Sequence, residues 1–274
     1  MARARPEFEI VSVDAMCVYR GMDIGTAKPS VAERTEVPHH LVDVADLSDD
    51  YTVTRFQTDC AHAVREIESR GKRPLLVGGT GLYVRAAVDG LSVPPQFPAV
   101  KAELEADPDT GALHSRLKEL DPQAATKMEP TNRRRIIRAL EVCVGSGRPF
   151  SSYGPGLDAY RPTRFRQIGL WPARSTLAHR IQQRFTKMLD AGFVEEVRAL
   201  SSADVSRTAR QALGYRQLFE HVENGQPLDE CVEEAVAATV RFARRQRAWF
   251  RRDPRIAWVP PDIDSARFVS GQDW

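Results

Sequence analysis

An α/β fold built on a parallel sheet is what this sequence predicts, and three observations carry the prediction. A strand-like run at 9–13 is followed by a helical pattern at 54–69 and a second apolar strand at 74–77. That is the strand–helix–strand order of a parallel crossover. Both strands stop at residues suited to ligands: Asp14 after the first, Gly78-Gly79-Thr80 after the second. In open parallel sheets ligands gather beyond the carboxyl ends of strands. The third observation is an interruption. Val93-Pro94-Pro95-Gln96-Phe97-Pro98 is a proline-rich break, and mostly helical, charged sequence follows to about Gly147, so a helical insertion divides the α/β chain.

Taken in order, the first ten residues, MARARPEFEI, carry glutamates and no apolar run, which excludes a signal peptide. The strand at 9–13 ends at Asp14, and "YRGMDIGTAK" then brings glycine turns and two cations, Arg20 and Lys28. A further strand is expected at 41–44. His39 and His40 are adjacent, and neighbours on a strand point to opposite faces, so they form no joint metal site. In the 54–69 helix Phe56, Ala63, Val64 and Ile67 keep helical spacing. Gly71 stands where a C-cap glycine belongs, and Pro74 opens the next strand. After the insertion, a glycine-, serine- and proline-rich loop leads to a strand at 165–170. From there the chain is expected to be mostly helical to Asp253. The domains are therefore a core of 1–91 with 156–274, and an insertion of 92–155.

Bulk composition sets limits. Among 274 residues net charge is only +2, so any nucleic-acid surface must come from local arginine clusters. Cys17, Cys60, Cys143 and Cys231 stand far apart with no C-x-x-C pair. This argues against a zinc knuckle or a disulfide scaffold and fits a reducing cytoplasm. No apolar run approaches bilayer length.

Five places can carry chemistry. Asp14 is either a cap for the next turn or a general base. In "LLVGGTGLYV", Gly78 and Gly79 allow close approach of backbone to a ligand. Thr80 offers a hydroxyl, or merely caps a helix. "NRRRIIRALEVCV" sets Arg134, Arg135 and Arg138 around Ile136 and Ile137. "RFARRQRAWFRRDPR" holds seven arginines in fifteen residues, among them Arg244, Arg245 and Arg247, with Gln246 and Trp249 between. The planar fork of arginine matches phosphate, and a solvated helix face usually mixes in more acid. The fifth is Gly214-Tyr215-Arg216, a weak signal by itself.

Together these segments resemble the bacterial tRNA dimethylallyltransferases. "DAMCVYRGMDIGTAKP", "VPHHLVDV", "GGTGLYV", "RALEV", "GYRQL" and "RRQRAWFR" follow in that family's order, from about Ile10 to Trp258. The resemblance implies a P-loop-NTPase-like core. It also implies transfer of a dimethylallyl group from dimethylallyl diphosphate to N6 of the adenosine 3′ of the anticodon. Its partners would be the tRNA anticodon stem-loop and that diphosphate, with Mg²⁺ as cofactor, in a cytoplasmic, monomeric enzyme. It gives Asp14 the N6 proton, Thr80 the orientation of amine or diphosphate, and Arg216 the diphosphate. It places tRNA at Asp14, Ala15, Met16, Cys17 and Thr80, at Lys101, at Arg134, Arg135, Ile136, Ile137 and Arg138, and at Arg244, Arg245, Gln246, Arg247 and Trp249.

One departure stands out. The family begins with a strand and a phosphate-binding loop, G-x-T-x-x-G-K-[ST], whose hydroxyl residue sits on Mg²⁺. No such loop occurs here. The expectation is a start placed too late, with the loop encoded upstream, and little transfer from residues 1–274 alone. Two rivals stand beside the reading: an adenylate isopentenyltransferase and an inactive tRNA-binding remnant. A free nucleotide needs no extended basic surface, which favours tRNA over the first.

Overall fold

The computed structural model describes residues 2–260; the part of the expected core at 261–274 lies outside them. The elements are β1 (Phe8–Val13), α1 (Val31–Glu36), β2 (His39–His40), α2 (Val53–Ser69), β3 (Arg73–Gly78) and α3 (Gly81–Asp89). Then come α4 (Pro98–Ala106), α5 (Thr110–Leu120), α6 (Pro122–Thr126) and α7 (Arg133–Ser146). The chain returns through β4 (Gln167–Leu170), α8 (Arg174–Asp190), α9 (Phe193–Ser201), α10 (Arg207–Arg210), α11 (Tyr215–Asn224), α12 (Leu228–Phe250) and β5 (Ile256–Val259).

The crossover forms as its spacing predicts. Thr52 caps α2 by accepting the N–H of Arg55, and Gly71 leaves the helix at φ +70°. Phe56, Cys60, Ala63, Val64 and Ile67 are the buried stripe of α2, and Phe56 stacks on Tyr83 of α3 at 4.3 Å. β1 is the middle of a three-stranded sheet, β2-β1-β3, with both neighbours parallel. Its register on β3 runs from Phe8 opposite Arg73 to Val13 opposite Gly78. Asp14 and Thr80 therefore leave the sheet at one end, side by side.

The expected strand at 41–44 does not form. Leu41 and Asp43 adopt φ of 62° and 57°, the left-handed region, so extended pairing stops at His40. Asp43 is clamped there by Lys28 Nζ and Arg34 Nη1, each at 2.6 Å. Beyond Asp253 the helical pattern gives way to a strand the sequence did not predict, β5, which pairs in parallel with β4. The two sheets are not hydrogen-bonded to each other among the described residues. Val77 of β3 and Leu170 of β4 are 50% and 60% exposed.

Two compact units result, residues 1–89 with 162–274, and residues 90–161. The second is a helical body around Leu104, Leu113, Leu117, Ile136, Leu140 and Cys143. Its edges lie slightly outside the expected 92–155. Asp121 draws in Ser151 through backbone N–H and hydroxyl at 2.7 and 2.8 Å, so the glycine-rich loop belongs to this unit. Thr163 donates to the carbonyl of Val88 at 3.1 Å, which closes the neck of the first unit.

Candidate active site

The site begins at the end of β1. Asp14 Oδ1 accepts the backbone N–H groups of Met16 at 2.7 Å and Cys17 at 3.1 Å. The carboxylate thus caps the turn after the strand, and the same two bonds fix its plane. Of the two readings of Asp14, the cap is the one these bonds show. Thr80 Oγ1 accepts the N–H of Ala15 at 3.4 Å, which brings the two strand ends together. Cys17 is buried, and burial followed by the Asp14 charge pushes its thiol up to about 12. Its side chain lies inside the protein, beside the turn that Asp14 caps. The two expected cations after Asp14 are also occupied. The Lys28 side chain is 2% exposed and bonds Asp23 and Asp43, while Arg20 bonds Asp46.

The basic helix docks on the glycine turn. Gln246 of α12 donates to the carbonyl of Gly79 at 2.9 Å. A Cβ on Gly81 would stand 2.4 Å from Trp249 Nε1, so glycine there lets the indole lie on the turn. Gln246 and Trp249, expected to meet tRNA, are thus first of all the anchors of α12 at the site. The neighbouring Arg247 stacks on Trp171, its Cζ 3.5 Å from the ring centroid. Arg244 and Arg245 are exposed.

Other expected residues lie elsewhere. Arg216 pairs with Glu234 at 2.8 Å. Arg216 is thereby tied to α12, the same helix whose Gln246 reaches Gly79. Its neighbour Tyr215 is structural: the phenol donates to Glu196 Oε1 at 2.5 Å. Burial, then the Glu196 charge, raise its pKa well above the usual value. Glu196 in turn accepts the N–H groups of Asp23, Ile24 and Gly25 at 3.0, 2.8 and 3.3 Å. Gly25 is pressed under Phe193 and Tyr215, closer than any Cβ allows. The Gly-Tyr of "GYRQL" and the turn of "DIGTAK" are therefore two halves of one latch. Sequence reasoning missed Glu196. Its only signal was an acidic pair, Glu195-Glu196, at the first turn of a helix.

In the insertion, Ile136 and Ile137 are 0% and 5% exposed and sit in its core. An i, i+1 pair among arginines can face inward when the helix is covered on that side. Arg138 is tied to the carbonyls of Pro94 and Pro95 and to Glu141. Lys101 pairs loosely with Glu105 at 3.7 Å. Arg134 and Arg135 are exposed. Among the described residues no group of three His, Cys, Asp or Glu could hold a metal ion, and no described helix is long and apolar enough to cross a membrane.

Comparison with known proteins bears on the chain as a whole. A family model described as "IPP transferase" matches residues 17–253. The tRNA dimethylallyltransferase of Kineococcus radiotolerans is 49% identical over 95% of this chain and 85% of its own. That of Streptomyces coelicolor is 47% identical over 92% and 81%. Among solved structures, the full-length tRNA isopentenylpyrophosphate transferase of Bacillus halodurans superposes with a TM-score of 0.68 at 35% identity, covering 98% of this chain and 87% of that one. A eukaryotic dimethylallyltransferase acting on tRNA gives 0.75 at 24% identity, covering 99% and 71%, a likeness of fold.

Proposed function

The chain belongs to the IPP transferase family, and from that premise we propose that it transfers a dimethylallyl group from dimethylallyl diphosphate to N6 of the adenosine 3′ of the anticodon. The tRNAs would be those reading codons that begin with U. The observation that carries this reading is the pairing of Asp14 with Thr80 at adjacent strand ends, under a helix carrying exposed arginines.

The chemistry follows from the residues. Breaking the allylic C–O bond sends its electron pair to a diphosphate oxygen and leaves positive charge on carbon. The N6 lone pair closes on that carbon, and the N6 proton goes to Asp14 Oδ2. Thr80, a hydroxyl beside Asp14, orients the amine. The adenine must leave its stack to reach the strand ends. Arg244 and Arg245 of α12, and separately Arg134 and Arg135 of α7, are exposed cations suited to RNA phosphate. The relatives named for tRNA favour this substrate over a free nucleotide. Mg²⁺ bound to the diphosphate oxygens would neutralise part of their charge.

The test is transfer of labelled dimethylallyl to a tRNA with adenosine 3′ of its anticodon, compared with AMP. The expected product is N6-dimethylallyladenosine on tRNA, lost by about 10²-fold or more in Asp14→Asn. Label on AMP alone, or equal turnover in the variant, would overturn the proposal.

A further inference from the structure

Residues 16–19, the turn that Asp14 caps, are held from three sides. At the head of the turn, Asp14 Oδ1 takes the N–H groups of Met16 and Cys17. From a second side, residues 43–45 donate to its carbonyls. The N–H of Asp43 reaches Cys17 at 3.2 Å, and those of Val44 and Ala45 reach Val18 at 2.8 and 2.9 Å. The third hold is Lys28. Its Nζ donates to the carbonyl of Tyr19 at 2.7 Å and to Asp23 and Asp43 at 2.6 Å each. An ammonium has three donors, so all are used.

The loops that Lys28 joins are the strained ones. Among the described residues the non-glycine positions with positive φ are Ala27, Leu41 and Asp43, at 50°, 62° and 57°. That region crowds Cβ against the following carbonyl, and a chain stays in it only where its surroundings hold it. Ala27 directly precedes Lys28. Asp43 is bonded by Lys28 and is gripped again by Arg34 at 2.6 Å. One buried side chain therefore binds the end of the capped turn to both strained loops.

We propose that Lys28 is a positioning residue for the carboxylate of Asp14, acting through the turn at 16–19. The inference rests on the transferase reading and deepens it. Lys28 touches no substrate. It braces the turn from behind, and Asp14 follows the turn because Oδ1 is bonded to Met16 and Cys17. A proton acceptor must stand within hydrogen-bond reach of the amine as the new bond forms. A loose turn therefore slows the bond-forming step and leaves RNA binding unchanged.

The experiment compares two variants of the full 274-residue chain with the parent. Lys28→Met removes the three bonds and leaves the Asp43 charge short of a partner. Lys28→Met with Asp43→Asn removes that charge too, so its melting temperature should recover while the brace stays absent. Amide hydrogen exchange at Met16 and Cys17, followed by NMR, reads the cap without any substrate. In both variants it should speed up by about 10-fold or more, with the amides of α2 protected as in the parent. Transfer at saturating tRNA should fall by about 10-fold or more with KM unchanged. Parent-like exchange at Met16 and Cys17 in either variant overturns the proposal, and so does parent-like transfer. Recovery of exchange and transfer together with melting temperature in the double variant would reduce Lys28 to a counter-charge for Asp43, and overturns it as well. Exchange needs no transfer, so a parent that transfers nothing fails the transferase reading while exchange still decides the brace.

Discussion

Asp14 caps a turn and is the proton acceptor of the proposed reaction, and substitution can separate the two roles. Asparagine keeps an oxygen for the N–H groups of Met16 and Cys17 but cannot accept the proton. Alanine removes both functions. Asp14→Ala should therefore cost about 1 kcal/mol of stability, the usual worth of a lost cap, while Asp14→Asn costs clearly less. Both should lose transfer alike. Urea unfolding of the two variants decides this; equal destabilisation would show that the cap bonds contribute nothing. Glu196 is the other residue whose single carboxylate holds a turn together. With three backbone N–H groups and the Tyr215 hydroxyl on it, Glu196→Ala should destabilise the chain by about 2–3 kcal/mol. The half-buried turn at Asp23–Gly25 would be left with unmet donors. A urea midpoint within error of the parent would refute that role.

Among elements, the tightest constraint lies between β1 and β3. A Cβ on Gly78 would stand 2.0 Å from the carbonyl oxygen of Val13, and backbone cannot swing aside as a side chain does. Gly78→Ala should cost about 1–3 kcal/mol by overpacking and separate Asp14 from Thr80. Thermal melting and transfer rate should fall together; a normal melt with normal transfer would show that the strands can part freely. The basic helix makes a different prediction. Arg244 and Arg245 are exposed on α12, whereas Gln246 and Trp249 hold it to the turn. Arg244→Ala with Arg245→Ala should weaken anticodon stem-loop binding. It should also reduce the slope of log affinity against log salt by about one unit for each phosphate that is no longer neutralised. An unchanged slope would mean that these side chains do not meet RNA.

At the scale of the whole molecule, paired carboxylates set the acid limit. Burial works against ionisation of Glu9, Asp43 and Asp253, but hydrogen bonds outweigh it. His40 and Arg70 hold Glu9, Lys28 and Arg34 hold Asp43, and Arg255 holds Asp253, so all three titrate below their usual values. A depressed folded pKa gives stability that is complete above the unfolded value, about pH 4, and lost as pH falls through the folded value. The melting temperature should drop steeply below about pH 4. Glu9→Gln should start lower and fall less over the same range; an identical pH profile would show that Glu9 is not among the groups responsible.

The sequence by itself determined the crossover, the strand ends at Asp14 and at the Gly-Gly-Thr turn, and the concentration of arginine on the last long helix. Each rests on local spacing: period in a strand or helix, a glycine at a cap, charge density along the chain. It also carried the family resemblance, because the motifs stand in order. Tertiary structure decided which of those residues face outward. Ile136 and Ile137 turn into a core that distant helices build. Lys28 is consumed by Asp43, which lies on the following loop. Leu41 and Asp43 abandon a strand-like pattern for left-handed turns because that clamp fixes them. β5 exists because β4, far away in sequence, offers it a parallel partner. The Glu196 latch and the bracing of the Asp14 turn by Lys28 were illegible for the same reason. Hydrogen bonds depend on which side chains meet across the fold, and sequence spacing records only neighbours along the chain.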